Sequence, residues 1–326
     1  MGQVPDRARL ALALVAALLL TISCTSPDGS AQADGQDPTT NSTSTTAPPR
    51  LAAVEPYSPL AGEPVPELKV LAANALQAVG TYDAGEGTPA AALTRVGPDV
   101  DAGLVQSAGQ LLEPEAASSI EIVYPQLGGL TDDAASIMVV YRWSTLIGGI
   151  EAQQSLTADV RLTRHVDGWR ATTVASLGGG PAQGDPASLT PSATAVLGNT
   201  QIELADSARW DIEAGRIGDT VLDTMLVLAR DHSLSVTVLA TGHPHEVFET
   251  SSVSNHTEGR GVDIWAVDGV PVVAQRTDGS VVEVMVRQLL DAGVTEIGSP
   301  WDIDGPGGAS FTNVVHQDHL HVAFDG

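Results

Sequence analysis

The chain of 326 residues has a single cysteine, Cys24, and a single lysine, Lys69. One cysteine excludes an intramolecular disulfide and any zinc finger built on cysteines. Positive charge is scarce: Lys+Arg number 15 against 40 Asp+Glu, a formal net charge of -25. Phosphate binding draws on clustered Lys and Arg, so nucleic acid is excluded as a partner, and charge-driven docking on anionic lipid is disfavoured. Aromatic residues are only 4 % of the chain. The apolar run Leu10–Leu20 spans eleven residues, too few to cross a bilayer as a helix. What is present is a 43 % apolar fraction, which excludes disorder throughout, and length for about two domains of roughly 150 residues.

Arg7 and Arg9 precede Leu10–Leu20, as in the charged and apolar regions of a signal peptide. The run closes Leu20-Thr21-Ile22-Ser23-Cys24. Small residues before a lone cysteine resemble a bacterial lipobox. That resemblance implies a signal peptide over 1–23, lipidation of Cys24, and export to the outer face of the cytoplasmic membrane, in the cell-wall space. An ordinary secretory signal with an incidental cysteine is the other reading. Residues 24–50 are rich in Ser, Thr, Pro, Asp and Gly without hydrophobic period, and read as a disordered tether. Fully extended it reaches roughly 80 Å.

Leu68, Leu71, Ala72, Ala75, Leu76 and Val79 recur at helical spacing, which predicts an amphipathic helix over Pro66 to Val79. Strand-like runs follow at Ile120–Tyr124, Ser136–Thr145 and Leu156–Val166, and Asp167-Gly168 turns the last into Trp169–Ala175. One helix against a curved antiparallel sheet looks like a cystatin-like α+β domain over 51–180, with no constellation for chemistry and a protein partner that the sequence does not name. Gly178-Gly179-Gly180-Pro181, continuing through Asp185-Pro186, marks a boundary. Beyond it, over 189–326, lie seven of the eight histidines and all three phenylalanines. Ile217, Val221, Met225 and Leu228 predict a helix. Leu234–Ala240 and Gly261–Val267 predict strands, Val282–Ala292 a helix stopped by Gly293, and Val314–Phe324 contains the last strand.

Two stretches concentrate chemistry: Ser254–Ile264 (SNHTEGRGVDI) and His316-Gln317-Asp318-His319-Leu320-His321. On a strand, positions i and i+2 share a face, so His319 and His321 aim at one spot. Asp263 opens or lies in a strand, His256 sits in the loop before it, and glycines 259 and 261 let that loop fold back. Two imidazoles and a carboxylate suit zinc and leave a position for water.

Ser-x-His-(x)6-Asp followed by a late His-x-His resembles the zinc D-Ala-D-Ala peptidases, the lysostaphin-related murein endopeptidases and the Hedgehog signalling domain. The resemblance covers about 205–326. It implies a Hedgehog/D-Ala-D-Ala-peptidase-like α+β fold and zinc held by His256, Asp263 and His321. It further implies His319 as acid/base, and Ser254 in contact with substrate. Asp318, three before the last ligand, occupies the place of a second catalytic carboxylate, but strand alternation turns it away from His321, which ranks His319 first. Many members clamp a substrate carboxylate with an arginine where this chain has Thr241-Gly242-His243-Pro244. A histidine cannot form that bidentate clamp, so His243 orients substrate at most, and an endopeptidase is favoured over cleavage of free D-Ala-D-Ala. The expected activity is hydrolysis of peptidoglycan stem peptides. The competing expectation is a zinc-containing wall-binding module that cuts nothing.

Overall fold

In the computed structural model, which describes residues 50–181 and 188–325, the stripe Leu68, Ala72, Ala75, Leu76 and Val79 forms the buried face of α1 (Pro66–Gly80). Pro66 stands in its first turn, where a missing N–H breaks no helical bond. Two short helices follow, α2 (Pro89–Arg95), capped by the Thr88 hydroxyl, and α3 (Ala102–Ser107). The strands β1 (Ala117–Leu130), β2 (Ala134–Ile147), β3 (Ile150–His165) and β4 (Gly168–Ser176) form an antiparallel meander in that order. The Asp167-Gly168 turn sets His165 opposite Gly168. Leu156, Ala158, Val160 and Leu162 alternate inward to meet Ile120, Ile137 and α1 in one hydrophobic core. The edge strand β1 carries register shifts between Ile122 and Tyr124 and between Leu127 and Gly129. Each bulge sharpens the local twist and bends the strand.

The second half builds α4 (Pro191–Gly198), β5 (Ile202–Glu203), α5 (Asp206–Glu213), α6 (Asp219–Leu228), β6 (Leu234–Val238), β7 (Gly261–Val267), β8 (Val270–Pro271), α7 (Val281–Asp291), β9 (Glu296–Gly298), β10 (Ser310–Phe311) and β11 (Leu320–Ala323). Its mixed sheet runs β10-β9-β11-β7-β6-β5, with β8 paired to β7. The chain is thus an α+β protein. Ile217, predicted within a helix, lies just before α6, whose N-cap is Gly218; it is nonetheless buried in the second core. Gly293 follows α7 with φ +84°, the left-handed stop expected of it. Val262, Ile264, Leu320 and Val322 face that core together with Val282, Met285 and Leu289 of α7. By alternation, Asp263, Trp265 and His321 face the other way.

That opposite face meets the first sheet. Trp265 stacks on Tyr124 of β1 with ring centroids 4.7 Å apart. Thr157 of β3 donates its hydroxyl to Thr237 O at 2.6 Å, and its N–H to Ser207 Oγ at 3.1 Å. The two cores therefore belong to one compact unit. Leu10–Leu20, Cys24, the tether through residue 49 and Asp185-Pro186 lie outside the described residues. Among the described residues, no helix is long and apolar enough to cross a membrane.

Candidate metal centre

Strand register assembles the site. Asp263 on β7 is the direct antiparallel partner of His321 on β11, so their side chains rise side by side from one face. His321 Nδ1 lies 2.8 Å from Asp263 Oδ1. His256 arrives from the loop before β7, and its Nε2 lies 3.1 Å from both Asp263 Oδ1 and His321 Nδ1. The loop can bring it there because Gly259 has φ +70° and a Cβ would sit 1.8 Å from Arg216 O. Gly259 O accepts the Gly218 N–H at 2.9 Å, which ties the loop to the N-cap of α6.

The free nitrogens are set by partners that can only accept. His256 Nδ1 is 2.7 Å from Leu239 O, so this nitrogen carries the proton and Nε2 is left as a ligand. His321 Nε2 faces Glu296 Oε1 at 3.3 Å, which leaves Nδ1 for the centre. Asp263 Oδ2 accepts from Gln126 Nε2 of β1 at 2.7 Å, and Gln126 Oε1 in turn accepts from the Thr237 hydroxyl. Burial alone would raise the Asp263 carboxyl. The neighbouring His256 and His319, and the hydrogen bond from His321, outweigh burial and hold it well below the usual range. Burial opposes charge on His321 too, yet its bonds to Asp263 and Glu296 lift it to about 9.

His243 packs its ring on His256, centroids 4.1 Å apart at 12°. His243, His256 and Asp263 present ligand atoms within 4.8 Å of one another, a group able to hold a metal ion. His243, expected to touch substrate, is thus one of the residues whose ligand atoms could reach such an ion. Burial first, then the neighbouring His256, push His243 well below its ordinary value, so it is neutral at pH 7 and its Nε2 can ligate. The chemistry of the donors fits a metal: imidazole nitrogens and a carboxylate converge, each with a hydrogen-bonding partner behind it.

His319, one residue before β11, brings Nε2 to 3.8 Å from Asp263 Oδ2. Its Nδ1 donates to Asp318 Oδ1 at 2.7 Å. Asp318 lies outside β11, at the end of the helical turn Val315–Gln317, so strand alternation does not orient it; its side chain points towards the first layer and is fully buried. Its Oδ2 accepts the Leu127 N–H at 2.9 Å and pairs with Lys69 Nζ at 2.5 Å. Burial would raise Asp318, but Lys69 and the His319 bond hold it below the usual range. Ser254, 4 % exposed, accepts the His256 N–H at 3.2 Å and lines the cleft above the centre. Arg260 and Glu258 form the local ion pair their adjacency suggests.

The cleft encloses about 310 Å³. Its lining includes Leu127, Gly129 and Met138 of the first sheet, with Phe248 packed on Gly129, and Phe311 and His316 of the second half. No Arg or Lys is among its lining residues. The 51–180 segment, in which the sequence shows no chemical constellation, contributes Gln126, Lys69 and the Leu127 N–H. Sequence reading missed these and Glu296. Lys69 alone left a signal: a charge inside the apolar stripe of α1, between Leu68 and Ala72. A scan against protein-family models finds no match to the chain, and a search of curated proteins finds none.

Proposed function

We propose that the chain is a zinc-dependent peptidase acting on peptidoglycan stem peptides at the cell surface. In this reading 189–326 is a member of the D-Ala-D-Ala-peptidase, murein-endopeptidase and Hedgehog-like group, and 51–180 is a cystatin-like partner layer. The observation that carries it is the convergence of His256 Nε2, Asp263 Oδ1 and His321 Nδ1 within 3.1 Å, with His319 presented beside them by a buried Asp318. Zinc bound by these three supplies Lewis acidity, polarising a peptide carbonyl and acidifying a water.

The chain does the rest. His319, protonated on Nδ1 by its bond to Asp318, keeps Nε2 free to take a proton from the attacking water and return it to the leaving amine. Asp318, with both oxygens already engaged, fixes that tautomer rather than touching substrate. Ser254 and His243 orient the peptide at the cleft, His243 sharing this task with its place beside the ligands. A lining without Arg or Lys offers no clamp for a terminal carboxylate, which favours an internal peptide bond over a terminal one. The lipobox-like end at Cys24 supports a lipid anchor, and the tether gives reach into the wall.

The test is digestion of purified muropeptides by the zinc-loaded chain. Shortened stems, abolished in His319→Ala, are expected. Intact stems from the zinc-loaded wild type would overturn the enzyme reading. Retention on murein sacculi without products, unchanged in His319→Ala, would establish the binding-module alternative.

A further inference from the structure

Lys69 is the chain's only lysine and is fully buried, in a position where helical period calls for an apolar residue. A buried ammonium is costly unless it is paired, and Lys69 is paired twice. It binds Glu63 on one side and Asp318 Oδ2, at 2.5 Å, on the other. Its Nζ also lies 5.0 Å from the Tyr124 ring centroid. Asp318 is therefore gripped through Oδ2 by two donors of the first layer, Lys69 from α1 and the Leu127 N–H from β1, while Oδ1 is left to His319 Nδ1 at 2.7 Å. A carboxylate held this way has one orientation to offer the imidazole. Among the described residues, the second half of the chain places no Arg or Lys in an ion pair with Asp318.

We propose that Lys69 is a positioning residue for His319, acting through Asp318, so that the layer over 51–180 completes the reaction centre. The inference rests on His319 handling the proton as proposed above. Lys69 touches neither the metal ligands nor the cleft. It sets the direction and ionic partner of Asp318, and Asp318 sets which nitrogen of His319 faces the peptide.

The experiment compares the full chain with Lys69→Met and Lys69→Arg, loaded with zinc alone. Imidazole nitrogen–proton correlation spectra report the His319 tautomer, and stem-peptide kinetics report kcat and KM. Wild type is expected to show His319 protonated on Nδ1. Lys69→Met is expected to bind zinc with unchanged stoichiometry, to show mixed His319 tautomers, and to lose at least tenfold in kcat with KM within twofold. Lys69→Arg, which keeps the charge, is expected to restore the Nδ1–H form. Should Lys69→Met fail to fold, because two buried carboxylates lose their cation, the Glu63→Gln/Lys69→Met double variant removes one of them and is read the same way. A folded variant without the lysine that keeps the single Nδ1–H tautomer of His319 would overturn the proposal. If wild type cleaves nothing, the peptidase reading fails, and the tautomer spectra still decide the role of Lys69.

Discussion

Gly261 opens β7 directly beneath the His256 ring, which makes Gly261→Ala a sharp probe of the centre. The position is outside the left-handed region, so alanine strains no backbone there. The added methyl would lie 3.0 Å from His256 Cδ2 and 3.1 Å from Cγ and Nε2. That is about 0.5 Å short of the roughly 3.5 Å at which carbon contacts become favourable. The ring has nowhere easy to go. His243 is stacked on it at 4.1 Å, and its Nδ1 is held 2.7 Å from Leu239 O. Overpacking of this kind costs about 1–3 kcal/mol of stability. Displacing Nε2 should also weaken metal binding about 10- to 100-fold, as loss of a ligand's supporting contacts does. Each tenfold is about 1.4 kcal/mol, so the stabilisation gained on adding zinc should shrink by about 1.4–2.8 kcal/mol. Chelator competition gives the affinity, and urea unfolding with and without zinc gives the linkage. Gly97→Ala, where a methyl meets nothing within 4 Å, is the control and should match wild type. Equal zinc affinity and equal zinc stabilisation in Gly261→Ala would refute the placement of His256 as a ligand.

Gln126→Leu strips partners from Asp263 Oδ2 and from the buried Thr237 hydroxyl. It should cost about 1–3 kcal/mol by chemical denaturation and weaken zinc at least about tenfold. Metal uptake should also depend on pH. His321, raised to about 9 without metal, must lose a proton to ligate, so apparent zinc affinity should rise close to tenfold per pH unit between pH 7 and 9 and flatten above. The metal-free protein should move oppositely. A raised histidine adds stability that is full below its ordinary 6.5 and is lost as pH climbs through 9, on the order of 3 kcal/mol. Pulse proteolysis across that range, in wild type and His321→Ala, checks the sign: only wild type should lose stability.

Much of the architecture was legible because it is written locally. The stripe from Leu68 to Val79, the Asp167-Gly168 turn and the alternation in Leu156–Leu162 each name an element without tertiary help. The glycines at 259 and 261 marked the loop that carries His256 towards Asp263, whereas His319, one residue before β11, reaches the same cleft without the strand alternation that its spacing suggests. Short elements carried too little pattern: α3 has six residues, β9 three and β10 two. The supporting groups were illegible for another reason. Gln126 meets Asp263 across 137 residues of chain and Leu127 meets Asp318 across 191, and no motif links them. They come together because the bulged edge strand β1 packs against the face of β7 and β11 that carries Asp263 and His321, burying both. His243, read as a loop residue facing substrate, lines the cleft and also stacks on His256, a contact the sequence did not show; Gly242 at φ +106° packs tightly on Thr157 and turns the chain inward.

The proposed function turns on zinc being held by His256, Asp263 and His321 on that face. The measurement that tests it most directly is metal content by elemental mass spectrometry of the full chain, beside His321→Ala, after zinc loading and removal of excess. About one zinc per chain in wild type and none in the variant is the predicted result. No zinc in a folded wild type would contradict the account and leave His256, Asp263 and His321 as a metal-free hydrogen-bonded cluster.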